Sequence, residues 1–426
     1  MSTDTETGAR LSFTVPAKRL RTAVQDAARG ADTSARAHPI MGCVLIALDA
    51  SGDLTLTGTD LEIAVTVREP VFWAPGTRPG TVCVPAKMLD KVLAGFNGVE
   101  IRVAAGGDFD AVISDAATGE TFTVRGQDPE DFPTTPAVSP EDNVLLGAED
   151  FAGALRTCPW AAAKEKMRFA LDGVLVDLRD GATFVATDGR RLSRFIAQPA
   201  ARSRAASPTS HHGILPVRAL TIAAKLFGRG DAVRVAIDPV PPANSLQGQH
   251  VALSDADGRR TIVARCVEGT FPAWREIIDS GCGNPHAWLM TVEVEALRAA
   301  LDRVALMTKR DAPCVALELD AERGTLTVAT RSEAGSAQKS LPASIEAGTP
   351  APVERDPDVE DDGGAAAPVE PEPAPTTLRV GFNPDFLTQA LRALVGDTVE
   401  MIVQSGAPLR LGEGAFTHVV MPVSLD

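Results

Sequence analysis

The chain has 426 residues, a formal net charge of −15 at pH 7, 44% apolar residues, 4% aromatics and no Tyr. This length exceeds one ordinary domain and suits three of about 130 residues, each with a core of Val, Leu, Ile and Ala. The acidic balance excludes indiscriminate affinity for nucleic acid, the few aromatics leave little platform for stacked bases, and no apolar run reaches the roughly 20 residues that span a bilayer.

Residues 1–9 read as a disordered leader, polar and without the apolar core of a signal peptide, which points to a cytoplasmic protein. Residues 10–134 carry the first copy of a pattern that occurs three times: helix, alternating strands, second helix, two further strands. Its helical stretches are TVPAKRLRTAVQDAAR, with Leu20, Val24 and Ala27 at helical spacing, and VPAKMLDKVLAGF, with Met88, Leu89, Val92 and Leu93. Pro16 and Pro85 stand where a missing N–H costs nothing. Leu54 and Leu56 alternate with Thr55 and Thr57, as in a strand with one buried and one wetter face.

A polar linker is expected over 135–144, then a second copy over 145–275. It contains AEDFAGALRTCPWAAA, ATFVATDGRRLSRF, LPVRALTIAAKLF and HVALSDADGRRTIVARCVEGTFP. Within it, 199–212 reads as a flexible surface loop and 239–249 as a hairpin expansion. After a linker over 276–286, the third copy runs from 287 to 426, with TVEVEALRAALDRVALM, GTLTVATRSEA, FNPDFLTQALRALV and EMIVQSGAPLRLGEGAFTHVVMP. It is interrupted by 347–377, which holds eight acids, one Arg and almost no large apolar side chain. Such a segment cannot offset its ordering entropy and reads as a disordered insertion that DNA would repel.

The repeat predicts an α+β fold of three tandem modules, each with two helices covering an antiparallel sheet. With the sheets outward, all six helices share one side. Two such crescents would close a ring head to tail, hiding the strand edges at the chain ends.

Chemistry finds little support. The chain lacks HExxH, GxxxxGK[ST] and GxSxG, and nothing pairs a nucleophile with a base. His211 and His212 have no neighbouring ligands, Asp361 and Asp362 fall in the insertion, and Cys266 sits in an alternating strand as a core residue. The six Cys form no CxxC and suit a reducing compartment. No catalytic residue, metal or cofactor is expected. The competing class, a β-rich enzyme with a cleft between domains, would need converging His, Asp or Cys.

Four strings stand in register within this repeat: LTLTGTDLE at 54–62, FVATDGRRLS at 184–193, VEGTFPAW at 267–274 and VVMP at 419–422. With them, nearly the whole chain resembles the bacterial DNA polymerase III beta subunit, the sliding clamp family. The resemblance implies a homodimeric ring around double-stranded DNA, indifferent to sequence, with helices lining the hole. It implies as partners a DNA polymerase catalytic subunit, a clamp loader and other proteins with clamp-binding peptides, with no hydrolysis by the clamp and no membrane. A divergent or mobile-element-encoded paralogue, serving a specialised polymerase or tolerating a clamp-directed inhibitor, is the alternative within the family.

The family's partner cleft, carried onto this chain, comprises Leu171, Thr187, Gly189, Arg190, Arg191, Leu192, Pro272, Ile277, Val419, Val420, Met421, Pro422 and Val423. An apolar pocket with exposed backbone suits short extended peptides anchored by Leu or Phe, and a Met adapts to varied anchors. Taken alone, TDGRRL is only a turn signal and VVMP only a closing strand. Arg190 stands where the family often has His, Glu276 where a basic residue is common, and Ser424 where an Arg or Lys is usual, so the charged rim differs. The DNA-facing candidates are Lys18, Arg19, Arg21, Arg29, Arg36, Lys87 and Lys91 in the first copy. The second copy offers Arg156, Lys164, Lys166, Arg168, Arg218 and Lys225; the third offers Arg298, Arg303, Lys309, Arg310 and Arg392. They would meet phosphates without selecting bases. Arg36 is favoured because the family places a basic loop residue there.

Overall fold

Helix α1 (Ala17–Ala27) starts behind Pro16, whose fixed φ of −60° at the N-cap suits a helix entry, and it buries Leu20, Ala23, Val24 and Ala27 along one stripe. Helix α2 (Ala86–Gly95) repeats the device behind Pro85 and buries Ala86, Leu89 and Leu93. Met88, expected on that stripe, is exposed instead. The structure, a computed structural model, describes residues 10–32, 34, 38–71, 73–96, 100–136, 138, 143–164, 170–179, 181–202, 212–227, 230–238, 248–279, 287–348 and 376–425. The expected leader, most of the 239–249 hairpin and most of the 347–377 insertion lie outside these residues.

The described residues form two compact units. The first falls within Met1–Leu155, Gly173–Thr183 and Ala197–Gly269. It holds α1, α2, most of α3 (Ala148–Thr157) and α4 (Val217–Leu226). A four-stranded sheet runs in the order Leu11–Pro16, Glu100–Ala105, Ala111–Ser114, Thr121–Val124. A nine-stranded antiparallel sheet runs Pro199–Arg202, Asn143–Leu146, Val233–Ile237, His250–Asp255, Arg260–Arg265, Ile63–Pro70, Asp53–Thr59, Cys43–Leu48, Gly80–Pro85. At its middle, Arg260 to Ala264 pair with Val67 to Ile63, which joins the second repeat to the first by backbone hydrogen bonds. Helices α1 and α2 pack against each other, and Asp90 of α2 accepts from Arg21 at 2.9 Å and Gln25 at 2.8 Å. Leu11, Phe13, Leu20, Leu54, Leu56, Ile101 and Ile113 fill the core beneath. Gly58 lets the end of α1 rest on its strand, since a Cβ there would stand 2.3 Å from the Ala27 carbonyl oxygen.

The second unit takes Arg156–Asp172, Phe184–Ile196 and Thr270–Asp426. It holds α5 (Trp274–Asp279), α6 (Val294–Val304) and α7 (Pro384–Ala393). Asn383 caps α7, its side chain accepting the Asp385 N–H at 2.9 Å, and Pro384 follows at the first helical position. Strand Arg191–Ala197 pairs antiparallel with Phe416–Val420, which joins the second repeat to the third; Leu409–Glu413, Thr398–Val403, Trp288–Glu293 and Ser344–Glu346 continue that sheet. A four-stranded sheet follows the order Gly335–Pro342, Thr325–Ser332, Val315–Asp320, Thr377–Phe382.

The three repeats thus give a three-domain α+β architecture, with α1 and α2, α3 and α4, and α6 and α7 as the repeat helices. Three local expectations are corrected. Pro199–Arg202, expected in a loop, is a strand, because it completes the edge beside Asn143–Leu146. Asn143 already belongs to that neighbouring strand, so the linker read as 135–144 is shorter. The stretch read as a linker from 276 begins inside α5, a seventh helix, which is anchored by buried Trp274 and Ile278.

Candidate partner-binding cleft and nucleic-acid interface

The string TDGRRL folds as a self-capped turn. The Asp188 carboxylate accepts the backbone N–H of Arg190 at 3.0 Å and of Arg191 at 3.1 Å, while the Thr187 hydroxyl accepts the Gly189 N–H at 3.1 Å and donates to the Arg191 carbonyl. Gly189 has φ of +85°, a left-handed conformation that favours glycine. The turn aims successive side chains differently: Arg190 is exposed, whereas Arg191 is only 6% exposed.

Arg191 is held from several sides. Its Nε donates to Asp188 at 3.0 Å, Nη1 to the Gln389 side chain at 2.9 Å and Nη2 to the Trp160 carbonyl at 2.8 Å. The guanidinium carbon lies 4.5 Å from the Phe386 ring centroid and 5.2 Å from that of Trp160. Burial lowers its pKa, and the Asp188 charge opposes that shift.

Beside it, strand Phe416–Val420 places His418 opposite Ser193, with Ser193 Oγ and His418 Nδ1 sharing a 2.8 Å hydrogen bond. Both side chains are fully buried, and the Trp160 ring centroid is 5.1 Å from the imidazole. Burial, then the Arg191 charge, pushes the His418 pKa down to about 3, so the ring is neutral at pH 7. Its Nε2 is buried without a hydrogen-bond partner among the described residues.

Register and hydrogen bonds bring residues 187–192 together with 419–421. Leu192 faces Val419, Arg191 faces Val420, and the Met421 N–H donates to the Arg190 carbonyl at 2.9 Å. Leu192, Val419 and Val420 are buried, while Met421 is 43% exposed. Pro422 is half-buried, and Val423 is exposed with its N–H on the Gly381 carbonyl at 2.8 Å. Leu171 is buried, and Pro272 and Ile277 are half-buried in and beside α5 in the same unit. Glu276 is exposed. The sequence reading did not name Trp160, Phe386, Gln389, Ser193 or His418. Of these only Ser193 fell inside a diagnostic string, and none carried a local signal, because each meets the wall through a contact distant in sequence.

The basic candidates divide by their surroundings. Arg19 is paired with Glu69 at 2.6 Å, Arg21 with Asp90 at 2.9 Å, Arg29 with Asp26 at 3.5 Å and Arg298 with Glu295 at 2.8 Å. Arg218 is paired with Asp60, and Arg392 with Asp302 at 3.8 Å. Arg156 donates to the Ala393 carbonyl at 2.9 Å. Lys18, Lys87, Lys91, Lys164, Lys225, Arg303, Lys309 and Arg310 are exposed. Arg36, Lys166 and Arg168 lie outside the described residues. Most of the helical arginines therefore already face a carboxylate, which weakens the field they offer to phosphates.

Among the described residues no group of three or more His, Cys, Asp or Glu could hold a metal ion, and no helix is long and apolar enough to cross a membrane. The class defined by the fold and the wall is a three-domain α+β repeat protein with an apolar wall where two repeats share a sheet. Residues 11–136 match the family described as DNA polymerase III beta subunit, N-terminal domain. The beta sliding clamp of Synechococcus elongatus is 26% identical over 402 residues, 91% of this chain and 92% of that protein. That of Escherichia coli K12 is 25% identical over 394 residues, 91% of this chain and 93% of that protein. A crystal structure of the DNA polymerase III subunit beta from Pseudomonas aeruginosa has the same fold, with a TM-score of 0.77 at 22% identity, covering 97% of this chain and 100% of that one. By family signature, near full-length similarity and fold, the chain matches the DNA polymerase III beta subunit, or beta sliding clamp, family.

Proposed function

We propose that this chain is a sliding clamp, a non-catalytic processivity factor that encircles duplex DNA as a head-to-tail homodimer and tethers a DNA polymerase catalytic subunit. In that ring the helices of the three repeats face the duplex, and a clamp loader admits the DNA. The wall built from residues 187–192 and 419–423 receives the polymerase and other partners through short peptides with an apolar anchor.

One observation favours the ring: among the described residues, each unit has a sheet edge without a strand partner and with apolar side chains beside it. Strand Thr121–Val124 is the edge of its four-stranded sheet, and its Phe122 is 38% exposed. Strand Gly335–Pro342 is the edge of the other four-stranded sheet, and the turn Ala305–Met307 packs on it with Leu306 80% exposed. An open apolar edge invites pairing, and two unlike edges on one chain suit a heterologous contact that closes when the rotation is right. The contact made twice between two copies yields a closed dimer. Sedimentation should give about 89 kDa, twice the 44.6 kDa chain mass, and Leu306→Asp should shift the population to monomer. A monomeric wild-type chain at micromolar concentration would sink the proposal.

A further inference from the structure

The sheet Gly335–Pro342, Thr325–Ser332, Val315–Asp320, Thr377–Phe382 buries Leu317, Leu319, Leu326 and Val328 on one face. Its other face has a floor of small side chains, with Ala316 registered opposite Ala329 and Ala329 opposite Gln338. Over this floor lies a cavity of about 660 Å³. One wall is the tail Val423–Leu425, fixed where the Val423 N–H meets the Gly381 carbonyl; a Cβ on Gly381 would stand 2.5 Å from the Val423 carbonyl oxygen.

Among the described residues, three cations line this cavity, Lys309, Arg331 and Arg379, against one carboxylate, Glu318. Glu318 is committed to Arg379 at 2.9 Å. Lys309 and Arg331 are exposed, and neither has a carboxylate partner among the described residues. In a chain of net charge −15, the described lining residues carry an excess of positive charge. Its position ties it to the candidate cleft, because the same tail serves both: residues 419–423 belong to the cleft wall and 423–425 to the cavity wall. The cleft's own rim offers the exposed Glu276 and Ser424.

We propose that this cavity is an anion-reading annex of the peptide cleft, in which acidic side chains flanking the apolar anchor of a partner peptide seat between Lys309 and Arg331. The inference rests on the cleft reading and adds a preference: among peptides with the same anchor, this protein selects those with an acidic flank. The cations neutralise the flank, and the alanine floor leaves room for the extended backbone.

Fluorescence anisotropy with the full-length protein tests this, using labelled peptides that share one Leu/Phe anchor. One carries Asp and Glu before the anchor, one carries them after it, and one carries Ser and Asn at both flanks. One of the two acidic peptides is expected to bind about two- to tenfold tighter than the neutral one at low salt. The advantage should vanish in about 1 M salt, where the screening length is ~3 Å. It should also vanish in Arg331→Glu, with the neutral peptide's affinity unchanged. A second readout is Cys314, half-buried in the cavity wall, while Cys43, Cys83, Cys158 and Cys266 are buried. The favoured acidic peptide should slow alkylation at Cys314, located by peptide mapping. Equal binding of all three peptides, or an advantage that survives Arg331→Glu, overturns the annex while leaving the cleft intact. Failure of all three peptides to bind overturns the cleft, and the annex with it.

Discussion

Arg191 directs its donors inward, to Asp188, Gln389 and a backbone carbonyl, and so stiffens the wall against which Leu192, Val419 and Val420 pack. That leaves the exposed Met421 as the adaptable surface on this wall. Met421→Ala should weaken a polymerase-tail peptide by about tenfold, the order expected for losing one large apolar contact, with no change in dimer mass. Titration by anisotropy checks this, and unchanged affinity would contradict the site. Behind the wall, His418 couples the fold to pH. Its folded pKa is depressed to about 3 from an ordinary 6.5, so the unfolded chain binds the extra proton between those values. Stability from this group is complete above about pH 6.5 and declines as pH falls toward 3, by at most about 1.4 kcal/mol per pH unit. In His418→Gln, the urea midpoint should fall less steeply between pH 6.5 and 4.5 than in the wild type. Parallel pH profiles would show that the ring is not held neutral by its surroundings.

At the scale of elements, the amphipathic repeat helices were legible because their period is local: Leu20, Val24 and Ala27 announce α1 without knowledge of its neighbours. Strand Pro199–Arg202 was not, since Pro-Ala-Ala-Arg has no strand signature and pairs only because Asn143–Leu146 offers an edge. The six-residue α5 was missed for a related reason, because it spans less than two turns and shows no period. The wall was legible as a motif but not as a mechanism. Arg191 meets Trp160 and Gln389 across 31 and 198 residues of chain, and Ser193 meets His418 across 225. No spacing rule reaches that far. The acidic insertion is tested at this scale too. The strands beside it, Ser344–Glu346 and Thr377–Phe382, pair within different sheets through their own registers, with Trp288–Glu293 and Val315–Asp320 respectively. Replacing 349–375 with a short Gly/Ser linker should leave the dimer mass and the melting temperature within a few degrees of wild type. Loss of folding would mean that these residues complete a sheet or a core.

For the whole molecule, the decisive comparison is between electrostatic grip and topology. The chain carries −15, and Arg19, Arg21, Arg29, Arg218, Arg298 and Arg392 are already paired with its own carboxylates. The basic candidates that remain, such as Lys18, Lys91, Lys164 and Lys225, are exposed, so any attraction they offer phosphates is screened by salt. A protein so equipped stays on DNA only if it is threaded. In the proposed ring, the sheet edges near Phe122 and near Leu306 are where a second copy would complete the enclosure. Retention on DNA circles tests this most directly: load the protein onto nicked circular DNA with a clamp loader, linearise half the sample with a restriction enzyme, and separate bound from free protein by gel filtration at moderate salt. Encirclement predicts that protein stays with the circles and runs off the linear molecules within the time of the column. Equal retention on both forms, or equal loss from both, would contradict it.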